Sequence, residues 1–312
     1  MADCLLHQIH YTSLYLGIIG SGGCFTGGNP GYTAHELTHH LRITEAKFIL
    51  TSPKTLETAT IAAKECGIPQ SKIFVLGFYG EAAPEGHQSW TRLLVCGEED
   101  WVHVEDPDNT TAAYVSTSGT SGLPKAAIIP HSYFRFQGEL QEKISSVRYK
   151  VAVSVSSFLI VVLISMTRSP VSLAFPPFHV FTIPVQHAFP LRKGVPCYIM
   201  PRFEASGFLN ALETYGITQT IVVPPILMAL SKCEDASKFK ALRRVFVGGS
   251  CATDGMQQQL YAKLSPMARI TQVYGMTEAG WATTWQNREK DMSGSVGRAL
   301  PGSELRYASR SA

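Results

Sequence analysis

The stretch that decides the fold class is Thr117-Ser118-Gly119-Thr120-Ser121-Gly122-Leu123-Pro124-Lys125, which directly follows a strand predicted at Ala112 to Val115. Glycines let a backbone approach a ligand closely, while hydroxyls and free N–H groups donate to phosphate oxygens. The spacing differs from the Walker pattern G-x-x-x-x-G-K-[ST], because two residues separate the last glycine from the lysine and an alanine follows it. The stretch predicts a phosphate-binding loop of another type, with a polar turn as the alternative.

A second polar stretch runs from Gln272 to Gly280 and reads Gln-Val-Tyr-Gly-Met-Thr-Glu-Ala-Gly. An aromatic face can stack on a base, a threonine hydroxyl can bond a phosphate, and a carboxylate can hold Mg²⁺. Tyr274, Thr277 and Glu278 supply these three groups within five positions. Taken alone, the stretch also fits a helix start capped by Thr277. Beside the first stretch, it predicts part of a nucleotide site.

Short apolar runs alternate with helical patterns along the chain. Helices are predicted at His35 to Leu41, Leu56 to Glu65, Phe208 to Tyr215, Ile226 to Lys232 and Gly255 to Leu264, and Leu14 to Cys24 fits a strand or a helix. Strands are predicted at Phe48 to Leu50, Ile73 to Leu76, Ala112 to Val115, Ala126 to Ile129, Cys197 to Met200, Ile217 to Val223 and Val245 to Val247. This alternation is typical of βαβ units and predicts an α/β fold with parallel sheets flanked by helices.

The composition indicates a large buried core. Of the 312 residues, 45% are apolar and 16% are charged, against about 25% charged in an ordinary soluble domain. The 27 Lys and Arg and the 24 Asp and Glu leave a net charge of +3, which is too small for a nucleic-acid footprint. Seven cysteines without a C-x-x-C pair indicate neither a disulfide framework nor a structural zinc site.

One segment is apolar enough to be considered as a membrane span. Val151 to Met166 is apolar apart from its serines, but it is shorter than the roughly 18 to 20 residues that a span needs. Its β-branched residues suit a buried strand pair better. Met1 to His10 lacks the pattern of a secretory signal. We therefore expect no membrane partner and an intracellular location, either cytoplasmic or peroxisomal.

The two polar stretches and four further motifs carry a family resemblance. The first resembles the SSGTTGLPKG phosphate loop, and the second the YGMTE segment, of the AMP-binding, adenylate-forming acyl-CoA synthetases, most closely the 4-coumarate–CoA ligase-like group with its fungal members. The further matches, in family order, are Pro176-Pro177-Phe178-His179, Val222-Val223-Pro224-Pro225, Gly248-Gly249-Ser250-Cys251 and Gly297-Arg298-Ala299-Leu300-Pro301-Gly302. Upstream, Gly22 to Leu37 is similar to the family's G-G-x-x-x-x-x-N-P-x-Y-T-x-x-E-L segment.

The resemblance implies a reaction with ATP, Mg²⁺, a small-molecule carboxylic acid and coenzyme A. The carboxylate attacks the α-phosphorus to give an acyl-adenylate, and the coenzyme A thiol then displaces AMP. By position, Tyr274 with Gly275 would hold adenine, Thr277 would bond the α-phosphate, Glu278 would bind Mg²⁺, and His179 would stand near the carboxylate. The implied phosphate contacts are Thr117, Ser118, Gly119, Thr120, Ser121, Gly122 and Lys125, and Gly248, Gly249 and Ser250 would flank adenine and the acyl group.

The resemblance also implies an incomplete enzyme. We expect residues 1–312 to form part of an AMP-binding domain, the incomplete large N-terminal domain of an adenylate-forming enzyme, with its C-terminal domain absent. Turnover would then be weak or lost, and a non-catalytic nucleotide- or acyl-binding remnant is the alternative. Val151 to Pro170 matches nothing in the family, so we interpret it as an atypical apolar insertion. Cys251 stands where the family often has proline, and we expect a plain buried thiol there.

A further motif indicates a different chemistry. His35-Glu36-Leu37-Thr38-His39 satisfies H-E-x-x-H, in which two histidines one helical turn apart bind zinc and the glutamate activates water. This pattern gives a metalloprotease as a remote alternative. The same residues also fit a helix within the family's upstream segment, and a third ligand is not evident in the sequence.

Overall fold

The structure is a computed structural model that describes residues 2–4, 10–77, 82–95, 97–117, 124–144, 171–173, 176–200, 203–285 and 289–306. The expected insertion Val151 to Pro170 and the loop residues Ser118 to Gly122 lie outside these ranges. None of the helices in the described part of the chain is both long and apolar enough to cross a membrane.

The chain divides into two compact units. The first comprises the described residues up to 136 together with 176–188, and the second comprises 137–144, 171–173 and the described residues from 189 onward. Each unit contains one seven-stranded sheet with helices, which confirms the predicted α/β class.

The first unit contains the N-terminal helices and strands. Its helices are α1 (His10–Gly20), α2 (Ala34–Ile43) and α3 (Leu56–Glu65), and α4 (His131–Ile144) begins in this unit. Its strands are β1 (Ala2–Cys4), β2 (Phe25–Gly27), β3 (Ile49–Thr51), β4 (Ile73–Val75), β5 (Gln88–Ser89), β6 (Thr111–Thr117) and β7 (Lys125–Pro130). The strand order is β5-β4-β3-β1-β2-β6-β7, and all pairs are parallel except the β6–β7 hairpin.

The second unit repeats this arrangement with a mixed edge. Its further helices are α5 (Phe189–Lys193), α6 (Ala205–Thr214), α7 (Pro224–Ser231) and α8 (Asp254–Tyr261). Its strands are β8 (Val171–Leu173), β9 (Cys197–Ile199), β10 (Gln219–Val222), β11 (Arg244–Val247), β12 (Arg269–Met276), β13 (Gly280–Thr284) and β14 (Arg298–Ala299). The order is β14-β13-β12-β11-β10-β8-β9, with antiparallel pairs only at β12–β13 and β13–β14.

Local chemistry explains most helix boundaries. α2 begins at a capping box in which Thr33 accepts from the Glu36 N–H and the Glu36 carboxylate accepts from the Thr33 N–H. α7 begins two residues before the predicted start, because Pro224 occupies the first helical position, where its fixed φ fits. α3 has the predicted bounds.

Each unit has its own apolar core. In the first, residues such as Leu37, Leu41 and Ile49 pack around α2 and α3, and a second cluster surrounds Tyr15. In the second, Phe208 is among sixteen buried residues packed around β10 and β11. The predicted buried run Phe48 to Leu50 needs one correction, because Phe48 is 38% exposed and only its two successors are buried.

Candidate functional site

Three of the sequence motifs follow neighbouring strands of the second sheet. β10, β11 and β12 are parallel, and their register places Val222 beside Val247 and Val247 beside Gln272. β10 and β11 therefore end at one edge of the sheet, with Val222 and Val247, while β12 passes that edge at Gln272 and continues to Met276. This carboxyl edge is the usual place for ligand sites in open α/β sheets.

The glycine-rich turn after β11 is tied to the end of β10 by a backbone hydrogen bond. The Gly248 N–H donates to the Val222 carbonyl at 3.2 Å. Gly249 has φ +84°, a conformation that side chains rarely adopt, and it is exposed together with Ser250. Cys251 is also exposed, so the expectation of a buried thiol there is wrong. The turn is short and leads directly toward the cap of α8 at Thr253, which leaves this side chain at the surface.

Gln272 joins the glycine-rich turn to β12 and β13. Its Oε1 accepts from the Ala252 N–H at 3.1 Å, and its backbone carbonyl accepts from Thr284 Oγ1 at 2.9 Å. The side chain is buried, so each of these bonds replaces a contact with water that is no longer possible. Gln272 has no separate role among the sequence predictions, and its place as the first residue of the second polar stretch was the available signal.

The Tyr274 to Glu278 segment forms a β-hairpin, not the start of a helix. β12 extends to Met276, a turn covers residues 277–279, and β13 returns antiparallel from Gly280. The helix alternative with Thr277 as a cap is therefore wrong. A bulge between Tyr274 and Gly275 shifts the register. Tyr274 is 43% exposed, Glu278 is exposed and Thr277 is half-buried, so all three have surface available for a ligand.

A buried glutamine on α4 stabilises this hairpin through hydrogen bonds to its backbone. Gln137 Oε1 accepts from the Trp281 N–H at 3.2 Å, and its Nε2 donates to the Ala279 carbonyl at 3.3 Å. Gln137 has no exposed surface. It is a second residue that sequence reasoning missed, because the partners lie 142 and 144 residues away along the chain.

In the first unit, the structure describes the two ends of the predicted phosphate loop. Thr117 ends β6 and Lys125 begins β7, and the two residues are paired across the hairpin. Lys125 is exposed and Thr117 is half-buried. Ser118, Gly119, Thr120, Ser121 and Gly122 lie outside the described residues.

His179 lies in the turn that follows the Pro-Pro-Phe motif of the first unit. The Phe181 N–H donates to His179 Nδ1 at 3.2 Å, which places the proton of the neutral ring on Nε2. The residue has exposed surface, but the surrounding loop partly desolvates the ring and lowers the pKa of His179. The Nε2–H group is thus a neutral hydrogen-bond donor near pH 7.

A second histidine fixes this turn. The buried His187 ring donates from Nε2 to the Pro177 carbonyl at 2.9 Å, and Thr12 Oγ1 lies 2.9 Å from its Nδ1. The ring stacks on Tyr15 at a centroid distance of 4.8 Å. Burial lowers the pKa of His187 to about 4, so it acts as a neutral structural group. Its role was not visible in the sequence.

The H-E-x-x-H residues have other partners in the structure. The Glu36 carboxylate belongs to the capping box, and His39 Nε2 donates to the Pro124 carbonyl at 2.9 Å. His35 is exposed. Among the described residues there is no group of three or more His, Cys, Asp or Glu that could hold a metal ion.

Comparisons with known proteins agree with this arrangement. The family model described as AMP-binding enzyme matches residues 4–310. Acyl-CoA synthetase ACTT5 of Alternaria alternata is 34% identical over 96% of this chain and 50% of its own length. Phenylacetyl-CoA ligase epaB of Aspergillus niger is 37% identical over 97% of this chain and 56% of its own.

A solved structure shows the same fold. The anthranilate CoA ligase AuaEII in complex with anthranoyl-AMP superimposes with a TM-score of 0.81 at 17% identity, covering 96% of this chain and 54% of that one. The chain belongs to the AMP-binding enzyme family. It spans about half the length of the curated relatives that it matches.

Proposed function

We propose that this chain binds ATP with Mg²⁺ and activates a small carboxylic acid as an acyl-adenylate, for transfer to coenzyme A. The observation that carries the proposal is the common edge of β10, β11 and β12, where two family motifs follow β10 and β11 and the third lies on the end of β12 and its turn. An edge of this kind offers backbone N–H groups and glycine turns to an anionic ligand.

The hairpin and the glycine-rich turn would hold the nucleoside part. Tyr274 is 43% exposed and offers ring surface for adenine, and the exposed Gly249 and Ser250 would flank the base. The Thr277 hydroxyl would donate to the α-phosphate, the group at which the acid must react. Gln272 and Gln137 would keep the turn and the hairpin in place through the bonds described above.

The phosphate loop would neutralise the leaving group. Thr117 and Lys125 are its described ends, and Ser118, Gly119, Thr120, Ser121 and Gly122 would add backbone and hydroxyl donors between them. A lysine ammonium near the β- and γ-phosphates stabilises the negative charge that grows on pyrophosphate as its bond to the α-phosphorus breaks.

Glu278 suits the magnesium ion that accompanies ATP. Mg²⁺ is usually held by one or two carboxylates together with substrate phosphates, not by a dedicated cage of protein ligands. A single exposed carboxylate on the hairpin turn fits this mode, since no larger group of potential metal ligands occurs in the described ranges. When bound, the ion supplies charge neutralisation for the phosphates.

The proposed chemistry takes place in two steps. In the first, a carboxylate oxygen forms a bond to the α-phosphorus while the bond to pyrophosphate breaks. In the second, the coenzyme A sulfur forms a bond to the acyl carbon, AMP departs with the electron pair of the C–O bond, and the thiol proton passes to solvent. His179 would orient the carboxylate through its Nε2–H, a donor that keeps its proton throughout.

For the acid, we infer an aromatic class. The support is that one relative of this chain is named as a phenylacetyl-CoA ligase, and that a protein of the same fold was solved with anthranoyl-AMP. Because ATP and coenzyme A are intracellular, the cytoplasm or the peroxisome is the proposed location.

An isotope-exchange assay tests this proposal. The chain is incubated with ATP, Mg²⁺, labelled pyrophosphate and a panel of aryl and fatty acids. We expect label to enter ATP only when an aryl acid is present, and Glu278→Gln to reduce this exchange while Glu234→Gln, at another exposed glutamate, does not. ATP binding without exchange for any acid would favour a non-catalytic nucleotide-binding protein.

A further inference from the structure

Two consecutive histidines of α2 contact the two strands that flank the phosphate motif. His39 Nε2 donates to the Pro124 carbonyl at 2.9 Å, directly before β7 begins. His40 Nδ1 lies 3.1 Å from Ser116 Oγ, one residue before the end of β6. Two side chains of α2 therefore form hydrogen bonds with the chain on both sides of the motif.

The hydrogen bonds around His40 have a defined direction. Thr26 Oγ1 donates its only proton to the Tyr114 carbonyl at 3.0 Å, so it must accept from His40 Nε2 at 3.0 Å. The neutral His40 ring then carries its proton on Nε2, and Nδ1 accepts from the Ser116 hydroxyl. This chain of bonds runs from β2 through α2 to β6 and leaves no donor or acceptor of the His40 ring unused.

The position of these contacts connects them to the site. Thr117 follows Ser116, Lys125 follows Pro124, and Thr117 and Lys125 are paired across the hairpin. A shift of Ser116 or Pro124 would move the adjacent Thr117 or Lys125 with it. His40 is buried and His39 is half-buried, so both contacts are shielded from competing water.

We propose that His39 and His40 are positioning residues that set the placement of Lys125 and Thr117 for the triphosphate of ATP. This inference rests on the proposed function, since it assigns the two side chains to phosphate binding. It gives the H-E-x-x-H segment a purpose other than zinc binding: its last histidine and the next residue hold the phosphate motif.

The test compares nucleotides that differ in phosphates. Affinities of ATP and AMP for the full 312-residue chain are measured by calorimetry for His39→Ala and Ser116→Ala. The first variant removes the His39–Pro124 hydrogen bond, and the second removes the His40–Ser116 hydrogen bond. His35→Ala and Thr38→Val are matched controls on α2, because His35 is exposed and the Thr38 hydroxyl donates to the Ala34 carbonyl of the same helix. His39→Gln restores a donor of similar reach.

Cleavage by trypsin after Lys125 provides a readout that does not depend on nucleotide. Lys125 is exposed and directly follows Pro124, whose carbonyl accepts the hydrogen bond from His39. The exposed Lys240 in the second unit serves as the reference site. Loss of either the His39–Pro124 or the His40–Ser116 hydrogen bond should accelerate cleavage at Lys125 relative to cleavage at Lys240.

We expect His39→Ala and Ser116→Ala to weaken ATP binding by about 3- to 10-fold, as the loss of one hydrogen bond implies, with AMP affinity unchanged. Cleavage at Lys125 should become faster, and His39→Gln should restore both values. Variants that match His35→Ala and Thr38→Val in ATP affinity and cleavage would overturn the inference. If the wild-type chain binds neither nucleotide, the proposed function fails, and the inferred role in phosphate binding fails with it. Faster cleavage in His39→Ala would still show that His39 holds the chain in place before Lys125.

Discussion

Gly275 and Gly280 lie in contact across the β12–β13 hairpin, so close that a Cβ on Gly275 would lie 2.2 Å from the Gly280 carbonyl oxygen. A real side chain cannot occupy that space, and the obstacle is backbone that cannot move aside. Gly280 itself has φ +70°. The two glycines thus allow the narrow hairpin that carries Tyr274 on its first strand and Thr277 and Glu278 in its turn.

Replacing Gly275 by alanine should therefore damage the hairpin. We expect Gly275→Ala to lower the free energy of unfolding by about 2 kcal/mol or more, because overpacking of this kind costs about 1–3 kcal/mol. Urea denaturation monitored by tryptophan fluorescence measures the change, since Trp281 is buried in the same hairpin.

Gly255→Ala is the matched control for that measurement. A Cβ on Gly255 would meet nothing within 4 Å, and the residue lies in α8, where alanine is favoured over glycine. This variant should be at least as stable as the wild type. Equal stabilities of the two alanine variants would contradict the described hairpin packing.

Tyr274 and Glu278 should contribute to nucleotide binding in different ways. Tyr274→Ala removes a stacking surface and should weaken AMP and ATP alike, by about 5-fold or more. Glu278→Gln removes only charge, so it should weaken ATP binding in the presence of Mg²⁺ and leave metal-free AMP binding unchanged. Calorimetric titrations with and without Mg²⁺ separate the two effects, and an equal loss of AMP affinity in both variants would show that Glu278 does not act through the metal.

The burial of His40 predicts a pH dependence of stability. Burial lowers the pKa of His40 to about 4, with a smaller contribution from the charge of His39. In the unfolded chain its pKa is about 6.5, so the unfolded state binds more protons between these values and stability is lost as the pH falls below 6.5. Between pH 7 and pH 5 this histidine should account for about 2 kcal/mol of lost unfolding free energy.

Urea denaturation at the two pH values measures this effect against His40→Asn, which cannot titrate. The variant should lose about 2 kcal/mol less than the wild type over the same interval. His35→Asn makes the same substitution at an exposed position of α2 and should behave like the wild type. A wild-type pH dependence in His40→Asn would show that the buried ring does not carry the effect.

The capping box of α2 predicts the outcome for the zinc alternative. Purified chain analysed by mass spectrometry for metals should contain far less than one zinc ion per molecule, because Glu36 is bonded to Thr33 and His39 to Pro124. Thr33→Ala should lower the free energy of unfolding by about 1 kcal/mol through loss of the cap, whereas Thr33→Ser should not. Stoichiometric zinc would revive the metalloprotease.

Local sequence signals predicted the elements that depend on neighbouring residues. The alanine-rich helix α3 ends before Gly67 and Pro69, and its bounds are as expected. Short β-branched runs gave β10 and β11, since buried parallel strands need continuous apolar residues. The family motifs identified the candidate site segments, but that they meet at one edge of the second sheet follows only from the strand register.

The sequence could not reveal contacts made by distant partners. The hairpin after Tyr274 depends on its pairing with β13, which local propensity for a turn or a helix start does not report. His40 and Ser116 are 76 residues apart, and Thr12 and His187 are 175 apart, so no spacing rule joins them. The exposure of Cys251 likewise follows from the path of the turn before α8, not from the cysteine itself.

The most direct test of the account is a single-turnover reaction analysed by mass spectrometry. Excess chain is mixed with ATP, Mg²⁺ and phenylacetate without coenzyme A, and the quenched mixture is searched for phenylacetyl-AMP. We predict that the adenylate forms with the wild type and falls sharply with Glu278→Gln but not with Glu234→Gln. Intact ATP with no adenylate from any aryl or fatty acid would contradict the account.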